Sequence, residues 1–450
     1  MGTVADTPVP VDFEKRVRSQ IEDVPAFLRS LESSAPVSIR YNKAKRKNFT
    51  GSLFQGSEIP WCAEGVMLPE RPAFGKDILY HAGLYYPMEP SSMFLAFVLG
   101  QIQLPAQSIL LDLCAAPGGK TLILNDFFPD SLLISNELNP TRVQALRENS
   151  IRWGTRNHVL LNGSIEQILA SGLQVQLLLV DAPCSGEGLF RKDKESRKEW
   201  TPERAAGCAV RQSQILEAAA KMIAPGGYLV YSTCTYNPDE NGKQLESLLD
   251  TCQFESVRLG VPAEWNVEEI ASKQVSCYQF WPHRLTGEGF FISVLRDKRE
   301  SNNDGLWEFP ETDLPKTKKN LPPAELCHEK IILQRESGFS GFTPDEWNAF
   351  SHLKKRCRVV TSGTELGSFK GTDFIPSHQL AMRPNSAIDL PRKEIDFDQA
   401  THYLRGNALN IQGEPKGPVL LIHQGLAIGW GKSNGARINN LIPKAVRLKN

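Results

Sequence analysis

Between residues 92 and 297, short runs of apolar β-formers alternate with helical stretches, and no other feature limits the fold of this chain so tightly. The runs lie at 108–113, 132–137, 158–163, 177–182 and 227–233. Strands alternating with helices form parallel βαβ units, because parallel neighbours need a crossover long enough to hold a helix. Asn139-Pro140 opens one of the helices, with Asn as cap and Pro in the first turn. Pro225-Gly226-Gly227 makes the turn that admits the fifth run, and 290–295 is expected to add an edge strand.

Two of these runs end on a cysteine. Asp181-Ala182-Pro183-Cys184-Ser185-Gly186 follows the fourth, and Ser232-Thr233-Cys234-Thr235 closes the fifth. A lone buried cysteine at a strand end is usually just a small hydrophobe. Two of them, in turns rich in Pro, Ser, Thr and Gly and on strands expected to be neighbours, deliver two thiols to one crevice. Methyl transfer to carbon 5 of a pyrimidine needs such a pair. Cytosine carbon 5 is a poor nucleophile until a thiolate adds at carbon 6 and turns the ring into an enamine. Charge building at N3 and the exocyclic amine must be met by a nearby acid, and Asp181 is the candidate. The carbon-5 proton then leaves and the carbon–sulfur bond breaks, steps that a second thiol can assist.

Such chemistry needs a methyl donor. Asp112-Leu113-Cys114-Ala115-Ala116-Pro117-Gly118-Gly119-Lys120 reads as strand end, Gly-rich loop and helix start, a cradle for a nucleotide-like ligand. It is not GxGxxG, which disfavours a nicotinamide. Glu137, 25 residues beyond Asp112 at the end of the second run, is placed to accept the ribose hydroxyls of an adenosine ligand. The alternative is a carboxylate that stabilises the helix start at Asn139. S-adenosylmethionine carries such a ribose without any phosphate. Asn162, ending the third run, is positioned for the adenine or serves as a turn residue. Cys114 lines the donor loop, and Cys208, Cys252 and Cys277 are expected to be packing residues.

At 450 residues the chain is long enough for two to four domains. Lys+Arg and Asp+Glu are equal at 51 each, so any nucleic-acid surface must be local. No apolar run approaches the roughly 18 residues that would span a bilayer. The first ten residues lack the basic-then-apolar order of a signal peptide, and Asp6 breaks the myristoylation pattern. Nine scattered cysteines without a CxxC pair, in a chain showing no export signal, read as reduced thiols in the cytoplasm. No metal is expected, Cys327-His328 and His352 with Cys357 being weak hints only.

Residues 11–31 read as one amphipathic helix carrying Phe13, Val17, Ile21 and Val24. Arg40-Tyr41-Asn42-Lys43-Ala44-Lys45-Arg46-Lys47 puts five cations in eight residues, a solvated loop or an edge that touches phosphates. The stretch from Trp61-Cys62 to Tyr86 is aromatic and turn-rich and is expected to pack against the α/β region downstream of it. Asn303-Asp304-Gly305, Lys316 to Asn320 and Pro322-Pro323 are linker chemistry. Near the C-terminus, 419–422 and 426–430 flank Gly425 like a hairpin. From 411 onward six Lys/Arg (416, 432, 437, 444, 447, 449) face one acid, Glu414. A small basic β-module suits RNA binding, or is a basic surface on a structural cap.

Cys114 to Lys120, Asp181 to Gly188 and Ser232 to Thr235 together resemble the Nol–Nop–Sun family of RNA cytosine-5 methyltransferases. Ile59-Pro60-Trp61-Cys62, the 86–93 segment, Tyr403-Leu404-Arg405-Gly406 and the stretch from Gly431-Lys432 to Pro443 are similar to its bacterial RsmF-type subgroup, which methylates small-subunit ribosomal RNA. The resemblance covers most of the chain, more loosely between 298 and 390. It implies an α/β fold: a Rossmann-like, S-adenosylmethionine-dependent core at 92–297, an N-terminal α/β extension at 1–91 that is a family-specific, RNA-binding domain, a linker and intermediate domain at 298–390, and a PUA-like β-rich RNA-binding module at 391–450. It implies Cys234 as nucleophile and Cys184 as the thiol that assists release. Cys114, Ala115, Ala116, Pro117, Gly118, Gly119, Lys120, Glu137, Asn162 and Asp181 would hold the donor, with Asp181 also facing the cytosine. The subgroup usually has Asp where Asn162 stands, so that contact loses a charge. Arg191-Lys192-Asp193 is placed to touch RNA phosphates. The expected partner is RNA, as small-subunit ribosomal RNA or an assembling subunit, with the protein a monomer.

Two other readings compete. A DNA cytosine-5 methyltransferase resembles this chemistry but takes its nucleophile from the Pro-Cys motif, here Cys184. A ribosome-assembly factor would bind RNA and merely retain the fold, which the intact donor loop, Asp181 and both thiols disfavour.

Overall fold

The computed structural model describes residues 7–251, 254–300, 308–315, 321–326, 329–384 and 390–448. Its centre is a ten-stranded sheet. Five parallel strands form its middle, in the order Ile223–Thr233, Val175–Asp181, Ile109–Asp112, Leu132–Asn136 and His158–Asn162. The order of pairing reverses at Ile109–Asp112, so the loops leaving neighbouring strand ends diverge there and open a crevice. Leu110, Leu111 and Leu177 to Val180 are all fully buried, because both faces of the sheet are covered. On one face Leu111, Leu178 and Val180 meet Ile215, Leu216 and Ala219 of the helix Pro202–Lys221. On the other, Leu110, Leu177 and Leu179 meet the helix Phe94–Gly100 and Ile123 and Leu124.

Local chemistry sets the helix ends. Asn139 Oδ1 accepts from the amides of Thr141 and Arg142, and Pro140 begins Pro140–Trp153, as the dipeptide implies. The Pro225-Gly226-Gly227 turn is an irregularity inside one long strand, Ile223–Thr233, where the register with Val175–Asp181 shifts.

Three expectations are corrected. Phe290–Asp297 is not an edge: it lies between two antiparallel neighbours, Ile223–Thr233 on one side and Val275–Phe280 on the other. The single helix at 11–31 is two, Val11–Val17 and Val24–Glu32, because Asp23 caps a fresh start by accepting from Ala26 N ahead of Pro25. The basic stretch at 40–47 is solvated only in part: Lys43, Arg46 and Lys47 are exposed, whereas Arg40 and Lys45 are not. Arg40 is buried and paired with Asp126 at 2.7 Å, and Lys45 donates to the carbonyls of Ala82 and Arg152 at 2.8 and 2.7 Å.

An N-terminal four-stranded sheet packs on the core through Trp61, which meets Phe94, Trp265 and Phe280 and donates to Pro90 O. Farther along, Arg358–Ser362 joins the central sheet antiparallel to His158–Asn162, while four strands between Ile331 and Pro376 form a sheet of their own. The C-terminal sheet contains the hairpin around Gly425, Gly417–His423 with Leu426–Ser433. Its Leu421 and Ile428, with Tyr403 from the helix Phe397–Leu404, share one apolar core with Ile39, Tyr41 and Tyr85 of the N-terminal sheet. The linker motifs at 303–305 and 316–320, Cys252 and Cys327-His328 lie outside the described residues. Among the described residues no cluster of His, Cys, Asp and Glu could hold a metal, and no helix is long and apolar enough to cross a membrane. His352 bonds Ser171 O instead.

Candidate active site

The strands Val175–Asp181 and Ile223–Thr233 are parallel neighbours, with Asp181 directly opposite Ser232. Their ends therefore emerge side by side, and Cys184 Sγ lies 3.0 Å from Cys234 Sγ. The Cys234 amide donates to Cys184 Sγ at 3.4 Å. Hydrogen bonding to Cys234, then burial, push the Cys184 thiol well above the usual thiol range. Burial and the neighbouring sulfur thus both favour the neutral thiol at Cys184. Gly188 N donates to Cys234 O at 2.8 Å, and the approach is so close that a Cβ on Gly188 would stand 2.9 Å from that oxygen and 2.3 Å from Gly289 O.

Asp181 joins this crevice to the donor loop. Its Oδ2 lies 2.8 Å from Lys120 Nζ, and its Oδ1 accepts from Ser232 Oγ at 2.8 Å. Burial alone would depress the Lys120 ammonium, yet Asp181, with smaller contributions from Cys234 and Asp112, carries its pKa above the ordinary lysine value. Lys120 therefore keeps its positive charge against Asp181, at the strand end that leads to Cys184. Its charge also lies over the Phe290 ring, 5.1 Å from the centroid.

A cavity of about 170 Å³ opens between the loop and the N-terminal region. Cys114, Ala115, Ala116, Pro117, Gly119, Lys120 and Asp181 line it, together with Asp112. Gly118 caps the helix Gly119–Phe127 with φ 116°, a left-handed conformation that favours glycine. Asp112 is buried: Oδ2 accepts from Thr121 Oγ1 at 2.6 Å while Oδ1 has no partner, and burial lifts its pKa to about 7. An orphaned carboxylate oxygen in a cavity suits a ligand bearing positive charge, and S-adenosylmethionine carries both a sulfonium and an ammonium. The apolar lining from Met88 and Pro117 and the acceptors at Asp112 and Asp181 fit that group.

Glu137 and Asn162 stand apart from this lining. Glu137 is buried; it accepts from Asn139 N at 2.8 Å and pairs with Arg142 at 3.3 Å, so the helix-entry role is realised in the structure. Asn162 Nδ2 donates to the carbonyls of Glu137 and Leu138, which leaves its Oδ1 as the atom to offer. Sequence reasoning did not place Tyr86, Met88, Glu89 and Ser92 against the donor loop, although they form the opposite wall. They come from a strand and turn far upstream, and only packing brings them near. The expectation for Arg191 is corrected: Glu288 holds it through both carboxylate oxygens at 3.1 Å and it also donates to Gly287 O, so it is not free for RNA. A larger cavity, about 830 Å³, lies away from the thiols among Tyr80, Arg152, His378 and Arg447. None of the groups needed for thiol chemistry lines it.

Comparison with known proteins finds matches along most of the chain. Residues 9–90 match the N-terminal domain of 16S rRNA methyltransferase RsmF, 101–296 match 16S rRNA methyltransferase RsmB/F, and 391–448 match the methyltransferase RsmF PUA domain. The ribosomal RNA small subunit methyltransferase F of Vibrio vulnificus is 30% identical over 413 residues, covering 87% of this chain and 86% of that protein. The protein of the same name from Shewanella loihica is 30% identical over 418 residues, covering 87% and 84%. Among solved structures, a methyltransferase homolog from Pyrococcus horikoshii is 27% identical with a TM-score of 0.52, covering 61% of this chain and 91% of that one. NSun6 from Pyrococcus horikoshii shares the fold, with a TM-score of 0.53 at 17% identity, covering 65% and 100%. The chain belongs to the RsmF-type family of ribosomal RNA methyltransferases.

Proposed function

We propose that the chain transfers the methyl group of S-adenosylmethionine to carbon 5 of a cytosine in small-subunit ribosomal RNA, through a covalent bond between Cys234 and the base that Cys184 helps to break. The observation that carries this reading is the 3.0 Å separation of the two sulfurs beside the Lys120–Asp181 pair. Donor loop, acid and both thiols thereby meet in one crevice.

The Cys234 thiolate adds to carbon 6 of cytosine, and the ring's electron pair moves toward N3 and carbon 5. Asp181, fixed by Ser232 and Lys120, faces the polar edge of the base and meets the charge that builds there. S-adenosylmethionine supplies the methyl group that carbon 5 takes up. The spent donor leaves as S-adenosylhomocysteine. Carbon 5 then gives its proton to Cys184, which as a thiolate is a strong base, the electron pair of that bond restores the carbon 5–carbon 6 double bond, and Cys234 leaves carbon 6 as thiolate. Cys184, in contact with the departing sulfur, assists this release. Asp112, Cys114 to Lys120 and Asp181 hold the donor, with Glu137 and Asn162 toward its ribose and adenine. Residues 391–450 contribute RNA contacts as a PUA-like module, 1–91 form the wall over the donor, and 298–390 form the intermediate domain. Both thiols and the donor loop come from one chain, which supports action as a monomer, and a ribosomal substrate supports a cytoplasmic location.

The test uses full-length protein, unmethylated small-subunit RNA and the donor. Cys184→Ala is expected to accumulate a denaturant-resistant protein–RNA adduct and Cys234→Ala to form neither adduct nor 5-methylcytosine. The reverse pattern would make Cys184 the nucleophile, and unchanged methylation by Cys234→Ala would sink the covalent route.

A further inference from the structure

Glu240 lies in the turn between the strand Ile223–Thr233 and the helix Gly242–Thr251 and is completely buried. Its carboxylate faces donors from both thiol loops. Oε2 accepts from Ser185 N at 2.8 Å and from Gln212 Nε2 at 3.1 Å. Oε1 accepts from Ser185 Oγ at 2.5 Å, Asn237 Nδ2 at 3.1 Å and Thr235 Oγ1 at 3.4 Å. Gln212 Nε2 reaches Pro183 O as well, at 2.9 Å. Pro183 and Ser185 flank Cys184, and Thr235 follows Cys234. One buried carboxylate therefore ties together the two turns that carry the sulfurs, without lining the donor cavity.

The tie is unequal. Cys234 has further support that does not pass through Glu240. Thr233 Oγ1 donates to Asn241 Oδ1 at 2.6 Å, Asn241 Nδ2 donates to Thr235 O at 3.0 Å, and Gly188 N holds Cys234 O. The turn around Cys184 depends on Glu240 for two of the three bonds of Ser185, the third running between Ser185 Oγ and Thr235 Oγ1 at 3.0 Å, and, through Gln212, for the hold on Pro183. Donors meet both carboxylate oxygens, so an amide in this place would turn an NH2 group toward at least one of them.

We propose that Glu240 is a positioning residue that sets Cys184 against Cys234, so that its loss impairs release of the methylated base more than formation of the covalent bond. This rests on the covalent reading above. The experiment compares wild type, Glu240→Gln, Ser185→Ala, Cys184→Ala and Cys234→Ala as full-length proteins on small-subunit RNA with S-adenosylmethionine. It measures single-turnover methylation, steady-state turnover and the fraction of protein held as denaturant-resistant adduct. For Glu240→Gln, single-turnover methylation should stay within about threefold of wild type. Steady-state turnover should fall about 10- to 100-fold, as displacements near 1 Å do, and adduct should accumulate as in Cys184→Ala. Ser185→Ala, which removes the hydroxyl bonds to Glu240 and Thr235 but leaves the Ser185 amide bond, should move in the same direction by less, and it decides the matter if Glu240→Gln does not fold. Wild-type turnover without adduct would overturn the proposal. So would an equal loss of single-turnover and steady-state rates, which marks general support of the site. Adduct in Cys184→Ala but not in Glu240→Gln would overturn the Glu240 role alone, whereas adduct in Cys234→Ala would overturn the covalent reading and this proposal with it.

Discussion

Lys120 Nζ lies 2.8 Å from Asp181 Oδ2, and this contact joins the donor loop to the strand end that carries Cys184. A lone charge on either side would be costly to bury, and here each offsets the other. Lys120→Met should lower the methylation rate by about 10²- to 10³-fold, the usual effect of removing one preorganised electrostatic group from a site. Steady-state kinetics check it. A rate near that of wild type would return Lys120 to a purely structural contact.

Arg16 of the helix Val11–Val17 pairs with the fully buried Glu187, just past the Cys184 turn. Glu187 also accepts from Trp200 Nε1 at 2.9 Å and Tyr236 N at 3.1 Å. Arg16→Ala leaves that carboxylate without its cation and should cost about 3 kcal/mol. Chemical denaturation measures this, and adding Glu187→Gln should recover part of the loss. Additive losses in the double variant would show that the pair is not coupled.

Burial raises Asp112 to about 7, and this residue lines the donor cavity with its Oδ1 unpaired. A cationic ligand favours the ionised carboxylate and lowers its pKa in the complex. Donor binding should therefore release a proton near neutrality. Affinity should weaken as the pH falls below about 7, approaching tenfold per pH unit, the limit for one coupled proton. Calorimetric titration of S-adenosylmethionine between about pH 8 and pH 6 tests the sign, and Asp112→Asn should flatten the profile.

Lys416, Arg437 and Lys444 are exposed on the C-terminal module, whereas Lys432 is paired with Asp373. Truncating that module would strip Ile39, Tyr41 and Tyr85 of their packing partners, so charge removal is the cleaner test. Replacing all three cations by Ala should weaken RNA binding and lower the slope of log affinity against log salt by up to about 2 for single-stranded contacts. An unchanged slope would make this surface a structural cap.

Much of the core is legible because its signals are local. Five apolar runs mark the parallel strands, Asn139-Pro140 marks a helix start, and the hairpin at Gly425 follows from two β-forming runs around a turn. Arg40 and Lys45 mislead because composition carries no information about burial. Arg40 can enter the core only because Asp126, 86 residues away, supplies its counter-charge. Phe290–Asp297 misleads for a related reason: its own residues specify a strand, while its neighbours are chosen by topology. Glu240 carries no sequence signal, since a carboxylate beside Asn241 in a turn is ordinary until donors from both thiol loops converge on it.

The sequence by itself determined the candidate reacting groups and the elements that present them. Two thiols end β-runs, a Gly-rich loop opens a helix, and Asp181 precedes Cys184, all within spans where backbone propensity and side-chain chemistry act locally. Tertiary structure alone decided that Cys184 and Cys234, 50 residues apart, would stand 3.0 Å from one another. It also decided that the Cys184 thiol is buried against Cys234, which pushes its pKa up, and that Tyr86 and Met88 line one cavity with the donor loop. Distance and desolvation are properties of packed neighbours, and packing is settled by the whole sheet rather than by any one segment of it.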